Sequence, residues 1–186
     1  SRRPARTPSE SKSGEVTGGR IFALEGNGAA GFGRSVHNLL AQVEWGGTQE
    51  TARLAAVWRN EGSAGTEALA CVRAPALAEI WSKPAAGRVE VWRERAFEIV
   101  LDGVWFTGVF DRVVVERDES SRAVRAWVLD YKTGRDGVAQ VVERHAGQLN
   151  LYRRVAAVLT GLPVQMVRCS LVLTDGCLAV DVPQTH

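Results

Sequence analysis

Asp111, Asp130 and Lys132 are the residues whose types and spacing could do chemistry together. All three lie in one stretch, Gly108–Arg135, which reads GVFDRVVVERDESSRAVRAWVLDYKTGR. It has the pattern of two β-strands joined by a polar loop, each strand carrying charge where an apolar residue is expected. Strand alternation predicts Val109, Asp111, Val113 and Val115 on one face of the first strand. In the second, Val124, Ala126, Val128, Asp130 and Lys132 share a face, with Trp127, Leu129 and Tyr131 on the other. Both faces of the second strand are apolar enough to be buried, as in a central strand. A carboxylate on such a face is costly unless it is paired or binds a metal. An ion pair to Lys132 or Arg112 would satisfy either aspartate alone. It accounts less well for the set, because a buried ion pair is a poor stabiliser beside packed apolar residues. Two carboxylates and a lysine converging from neighbouring strands point to a metal-dependent site.

The elements that must position these residues follow from periodicity and breakers. Arg88 to Leu101 reads as a strand with mixed alternation, near a sheet edge. Asp102-Gly103 is a two-residue hairpin signal, and Trp105 to Glu116 returns antiparallel carrying Asp111. The loop Asp118–Arg122 leads to the strand bearing Asp130, completing a three-stranded meander. A helix follows from about Ala139 to Thr160, ended by Gly161 and Pro163. Its inward stripe is Val141, Val142, His145, Leu149, Tyr152, Ala156 and Leu159. Gln148 and Tyr152 meet on one of its faces, one turn apart. Arg144, Arg153 and Arg154 read as solvated helix-face charges. A closing hairpin joins Val164–Leu173 to Cys177–Val182 across Asp175-Gly176.

Upstream, three helical segments form a scaffold. Arg34 to about Trp45 buries Val36, Leu39, Leu40 and Val43 and ends at Gly46-Gly47. Gln49 to about Asn60 buries Leu54, Val57 and Trp58. Thr66 to about Trp81 is interrupted at Pro75. The glycine run GNGAAGFGRS, residues 26–35, matches a dinucleotide fingerprint and, apart from Arg34 in place of lysine, a phosphate-binding loop. Both motifs need a strand before and a parallel strand after. Only Ile21 to Leu24 could supply the first, so the run is read as a glycine-rich lead into the helix.

The chain of 186 residues is long enough for one domain with a sizeable core and an extension. A net charge of +2 neither demands nor excludes nucleic acid, since a cleft can concentrate charge that the total hides. Residues 1–19 are rich in Ser, Arg, Pro, Thr and Lys and read as a linker or tail. Its Arg2, Arg3, Arg6 and Lys12 could touch phosphates. The first residue is Ser rather than Met, which fits a domain cut from a larger polypeptide. No apolar run is long enough for a membrane span. Cys71, Cys169 and Cys177 read as three unpaired thiols in a reducing cytosol, too few for an iron–sulfur cluster.

Asp111 followed by Asp130-Tyr131-Lys132 resembles the bipartite motif of PD-(D/E)XK nucleases, with Phe110 where the motif's proline would stand. The wider wording, GVFDR, then VLDYKTGR, then QLNLY, resembles the RecB-type nuclease domain of bacterial helicase–nucleases such as RecB and AddA. The likeness covers roughly residues 33–174. It implies an α/β (α+β), restriction-endonuclease-like core over residues 20–186, with a central mixed sheet, a three-stranded antiparallel meander and flanking helices. It also implies roles. Gly33-Arg34-Ser35-Val36-His37 is similar to the family's Gly-x-x-x-His, which makes His37 a metal ligand beside Asp111, Asp130 and the main-chain carbonyl of Tyr131. Asp111, Asp130 and Lys132 become the catalytic set, with Lys132 positioning the attacking water. Gln148 and Tyr152 match Gln-x-x-x-Tyr, which helps hold DNA. Glu94 falls where relatives often carry a glutamate and is placed in the outer shell. A surface charge among Arg93 and Arg95 is the competing reading. His145 stands where many relatives have tyrosine, so it is given no role.

The implied activity is Mg²⁺-dependent hydrolysis of DNA phosphodiesters, with Mn²⁺ able to substitute. The expected substrate is a single strand delivered by helicase domains of the same parent chain, with a partner subunit in some complexes. The setting is the bacterial cytoplasm, in double-strand-break repair and recombination. A catalytically inactive module that grips single-stranded DNA or a partner subunit is the alternative. A purely structural helicase domain would leave the charges on apolar faces unexplained.

Overall fold

A computed structural model describes residues 27–85 and 87–184. The expected tail over residues 1–19 with its basic residues, and the strand considered at Ile21–Leu24, lie outside them.

Among the described residues, five strands form one sheet in the order β1-β2-β3-β4-β5. They are β1 (Arg88–Leu101), β2 (Val104–Arg117), β3 (Ala123–Lys132), β4 (Val167–Leu173) and β5 (Leu178–Asp181). The first three form the expected antiparallel meander. Asp102 and Gly103 turn the first hairpin with φ of 53° and 76°, both in the left-handed region that a primed two-residue turn requires. β3 and β4 are parallel, which a hairpin cannot connect, and helix α5 (Val138–Thr160) is the crossover. Gly161, at φ 71°, ends α5 by letting Leu162 N–H reach back to the Ala157 carbonyl at 2.9 Å.

The other helices are α1 (Asn27–Leu40), α2 (Thr48–Val57), α3 (Gly62–Arg73) and α4 (Ala78–Trp81). The sheet separates two apolar cores. On one face, Val113, Val115, Ala126 and Val128 pack with Val141, Leu149 and Val155 of α5. On the other, Leu129, Tyr131 and Val172 pack with Val36 and Leu40 of α1 and with Ala68 and Cys71 of α3. β3 is central and buried on both faces, as its apolar pattern required.

Besides Val57 of α2, expected inward but exposed, three expectations need correction. Helix α1 begins at Asn27 and ends at Leu40, whereas periodicity placed it from Arg34 to about Trp45. Gly28, Gly31 and Gly33 therefore lie within a helix, and no phosphate-cradling loop exists among them. The early end has a tertiary cause. Fully buried Arg112 of β2 donates to the carbonyls of Val43 (2.8 Å) and Glu44 (2.6 Å), and Arg93 of β1 reaches those of Ala41 and Gln42 (both 3.2 Å). Carbonyls that further helical turns would have used are capped by cations from the sheet.

The second correction concerns β2. Val113 and Val115 belong to the α5 core, but Asp111 points to α1, so the three do not share a face. The register Arg93↔Arg112 and Arg95↔Phe110 leaves Glu94 opposite Asp111, and Glu94 has φ 45°. This left-handed residue interrupts the ladder, and alternation resumes out of phase in both strands. Trp92 and Phe97, five positions apart, accordingly lie in the same core. The third concerns α5. Arg153 is buried, with Nε donating to the Val167 carbonyl at 3.1 Å, while Leu159 of the expected inner stripe is exposed.

Candidate active site

β2 pairs with β3 only from Arg112 to Arg117, so the two strands part at Asp111. At that fork the Asp111 carboxylate takes a place that the ladder vacates: Oδ2 accepts the Tyr131 N–H at 2.7 Å. Asp111 Oδ1 stands 3.3 Å from Nδ1 of His37, brought there by α1. Gly33, one turn earlier on α1, lets the helix approach the end of β3. A Cβ there would lie 2.8 Å from Thr133 Oγ1. Close packing, and not phosphate binding, is what this glycine serves. The Tyr131 ring points into the α1 core and meets the His37 imidazole edge-on at 5.6 Å between centroids.

Asp130 and Lys132 leave β3 toward α5. Lys132 Nζ is 2.7 Å from Asp130 Oδ2 and 3.5 Å from Gln148 Oε1. Gln148 Nε2 donates in turn to the Tyr152 hydroxyl at 3.2 Å. The Tyr152 ring is wedged edge-on against Phe97 and Phe110 at 5.4 and 5.3 Å. Behind β3, Thr174 N–H donates to the Lys132 carbonyl at 3.0 Å, fixing the strand end.

The electrostatics divide the two aspartates. Burial opposes ionisation of Asp111, but the His37 imidazole, the Lys132 ammonium and the Tyr131 N–H outweigh it and hold its carboxyl below the usual range. Asp130 goes the other way. Its burial, reinforced by the charge of Asp111, raises it despite Lys132. His37 is raised: burial disfavours the imidazolium, but Asp111 and Asp130 more than compensate. Glu94 is also raised, by burial and by Asp111. Two carboxylates directly opposed on an antiparallel ladder repel each other. A cation between them would remove that cost.

His37, Glu94 and Asp111 each offer a ligand atom, and these atoms lie within 4.8 Å of one another. One imidazole and two carboxylates suit a divalent cation that favours oxygen. Asp130, expected as a ligand, lines the same cavity but lies outside this group, its Oδ2 paired with Lys132. The donor set therefore fits a metal. Glu94, expected in the outer shell, has a carboxylate oxygen within 4.8 Å of the ligand atoms of His37 and Asp111. Strand alternation alone could not place it, because the irregularity at φ 45° is what turns it inward.

A cavity of about 790 Å³ opens over these groups, and His37, Glu94, Asp111, Asp130, Lys132, Gln148 and Tyr152 all line it. Arg34 of α1 lines it too, a residue no motif singled out for a role. His145 is buried nearby but is not one of the metal-donor group. Burial, with Lys132 close by, pushes its pKa down to about 4. Arg144 and Arg154 face outward and pair with Asp136 and Asp102. The three cysteines are unlinked, as expected, although Cys71 and Cys177 Sγ atoms approach to 3.9 Å. No helix among the described residues is long and apolar enough to cross a membrane.

A search of curated proteins finds no match to this chain. Among protein families, the model of the PD-(D/E)XK nuclease superfamily matches residues 19–180. The five-stranded mixed sheet between helices is consistent with the restriction-endonuclease-like fold.

Proposed function

Because this chain belongs to the PD-(D/E)XK nuclease superfamily, we propose that its cleft hydrolyses DNA phosphodiester bonds with Mg²⁺, and with Mn²⁺ as a substitute. The observation that carries the reading is the meeting, at the β2/β3 fork, of the His37–Glu94–Asp111 donor group with the Asp130–Lys132 pair. His37, Asp111, Asp130 and the main-chain carbonyl of Tyr131 hold the cation, joined by Glu94. The bound cation supplies Lewis acidity at the phosphate and a water acidified for attack.

The chain's own residues do the rest. Lys132, steadied by Asp130 and Gln148, positions the attacking water and meets the negative charge that develops on the phosphate. Gln148 and Tyr152 form the α5 wall of the cleft and orient the incoming strand. The order Gly33…His37, Asp111, Asp130…Lys132, Gln148…Tyr152 supports a RecB/AddA-type domain spanning residues 20–186. Its substrate is then single-stranded DNA fed by helicase domains of the same polypeptide, in break repair and recombination in the bacterial cytoplasm.

The test is digestion of labelled single-stranded DNA with Mg²⁺ or Mn²⁺, beside Asp130→Ala and an EDTA control. Metal-dependent cutting that the variant loses is the expected result. Cutting that survives Asp130→Ala would place the chemistry elsewhere.

A further inference from the structure

The β1–β2 hairpin runs well past the fork. β2 pairs with β1 from Val104 onward but with β3 only from Arg112, so, among the described residues, 104–111 have a neighbouring strand on one side alone. Among the described residues, the outer part of the face that carries Asp111 stays exposed, at Val100, Trp105 and Val109. Moving outward from the Glu94/Asp111 position, the cross-strand pairs are Ala96↔Val109, Glu98↔Thr107 and Val100↔Trp105. The opposite face is closed by Phe97 and Phe110 against α5. On the open face, Trp105 is 62% exposed, Val100 54% and Val109 40%. A tryptophan exposed to this degree on a strand, beside an exposed valine, lacks a folding reason.

The open face continues the cleft. Ala96, Glu98, Thr107 and Val109 line the same cavity as Asp111 and Lys132. Six residues of strand at ~3.4 Å each put Trp105 about 20 Å from Asp111, the reach of a few nucleotides. The floor between them is Ala96, Val100 and Val109 with Thr107 and one acid, Glu98, and has no Lys or Arg. Such a floor repels phosphates and suits bases. Cations sit to the side, with Arg34 on α1 and Lys132 at the inner end.

We infer that this face of the β1–β2 hairpin is a platform for single-stranded nucleic acid, with a base stacked on Trp105 and its phosphates turned toward α1. The inference rests on the nuclease reading for its substrate class and adds where the strand lies. Stacking on an aromatic face tolerates any base, so the platform selects single strands without reading sequence. A paired base has its faces covered by its neighbours, so a duplex gains nothing from Trp105.

Binding of labelled oligothymidylate to the full chain, followed by anisotropy in EDTA so that nothing is cut, tests this. Trp105→Ala should weaken binding roughly 5- to 150-fold, the range for loss of one stacked base. Trp105→Phe should restore most of it. Val109→Glu, a second exposed change on the same floor, should also weaken binding. A 2-aminopurine placed along the strand should be quenched by the parent chain and not by Trp105→Ala. Unchanged affinity in Trp105→Ala, or no oligonucleotide binding by the parent, overturns the inference and leaves the face to a protein partner. Trp105-dependent binding without metal-dependent cutting would instead uphold the platform and count against the nuclease reading.

Discussion

The proposed function gives Lys132 and Asp111 different jobs in the same cleft, and their substitution should separate those jobs. Lys132 Nζ is held by Asp130 and Gln148. Lys132→Ala should lower the rate of cleavage by about 10²–10³-fold, the usual cost of losing one aimed charge donor. Its metal affinity should stay close to the parent's, and single-turnover digestion beside calorimetric metal titration checks both. Cutting at the parent rate would remove Lys132 from the chemistry. Asp111 instead joins strand and helix and belongs to the proposed metal site. Asp111→Ala should abolish metal binding. It should also cost about 1–3 kcal/mol of stability, because the buried Tyr131 N–H loses its acceptor. Retained Mg²⁺ affinity in that variant would move the metal site elsewhere.

At the scale of elements, the site exists because two regular patterns are interrupted. β1 and β2 lose alternation at Glu94, whose φ of 45° turns a carboxylate toward Asp111. Backbone strain of this kind costs about 1–3 kcal/mol and persists where the surroundings enforce it. The end of α1 is likewise imposed from outside, by Arg112. Its guanidinium lies 5.3 and 5.1 Å from the Trp45 and Trp81 rings while it donates to two carbonyls. Arg112→Ala should cost roughly 2–5 kcal/mol in urea denaturation, since charge-assisted bonds and stacking are lost together. Arg112→Lys should recover little, because an ammonium cannot fork across two carbonyls and two rings. Full recovery by lysine would show that charge alone holds the helix end. Both variants should weaken metal binding as well, because the helix end they release belongs to the element that carries His37.

For the whole molecule, the sheet divides two cores and the candidate site sits where the sheet opens between them. That arrangement buries ionisable groups, and burial makes stability depend on pH. His145 shows the sign. Its folded pKa of about 4 lies below the ordinary 6.5, so the unfolded chain binds the proton more readily. The stability linked to neutral His145 is present above pH 6.5 and is lost as pH falls toward 4. Lys132, Arg144 and Asp136 are the charged groups acting on it, and Gln148 faces it as well. The urea midpoint of the parent should therefore fall more steeply over that interval than that of His145→Gln. Parallel curves would mean that His145 titrates alike in both states.

Much of this was legible in the chain alone. The apolar runs on both sides of Asp130 required a central strand. Asp102-Gly103 required a tight hairpin, and Gly161 with Pro163 a helix end. These are local effects of sterics and of period, so they survive without knowledge of neighbours. The pairing of Asp111 with Asp130-Tyr131-Lys132 was equally visible, because a charge on a buried strand face is conspicuous wherever the strand lies. Other features were settled only by the folded molecule. Arg112 reads as an ordinary strand charge until α1 ends against it, and Arg153 as a solvated one until Val167 receives it. Glu94 reads as an outer-shell residue or a surface charge until the ladder breaks beneath it. The glycines before His37 read as a loop until Thr133 fills the space that Gly33 leaves. In each case the deciding partner is distant in sequence, and hydrogen bonding or close packing between remote segments leaves no period in the chain to read.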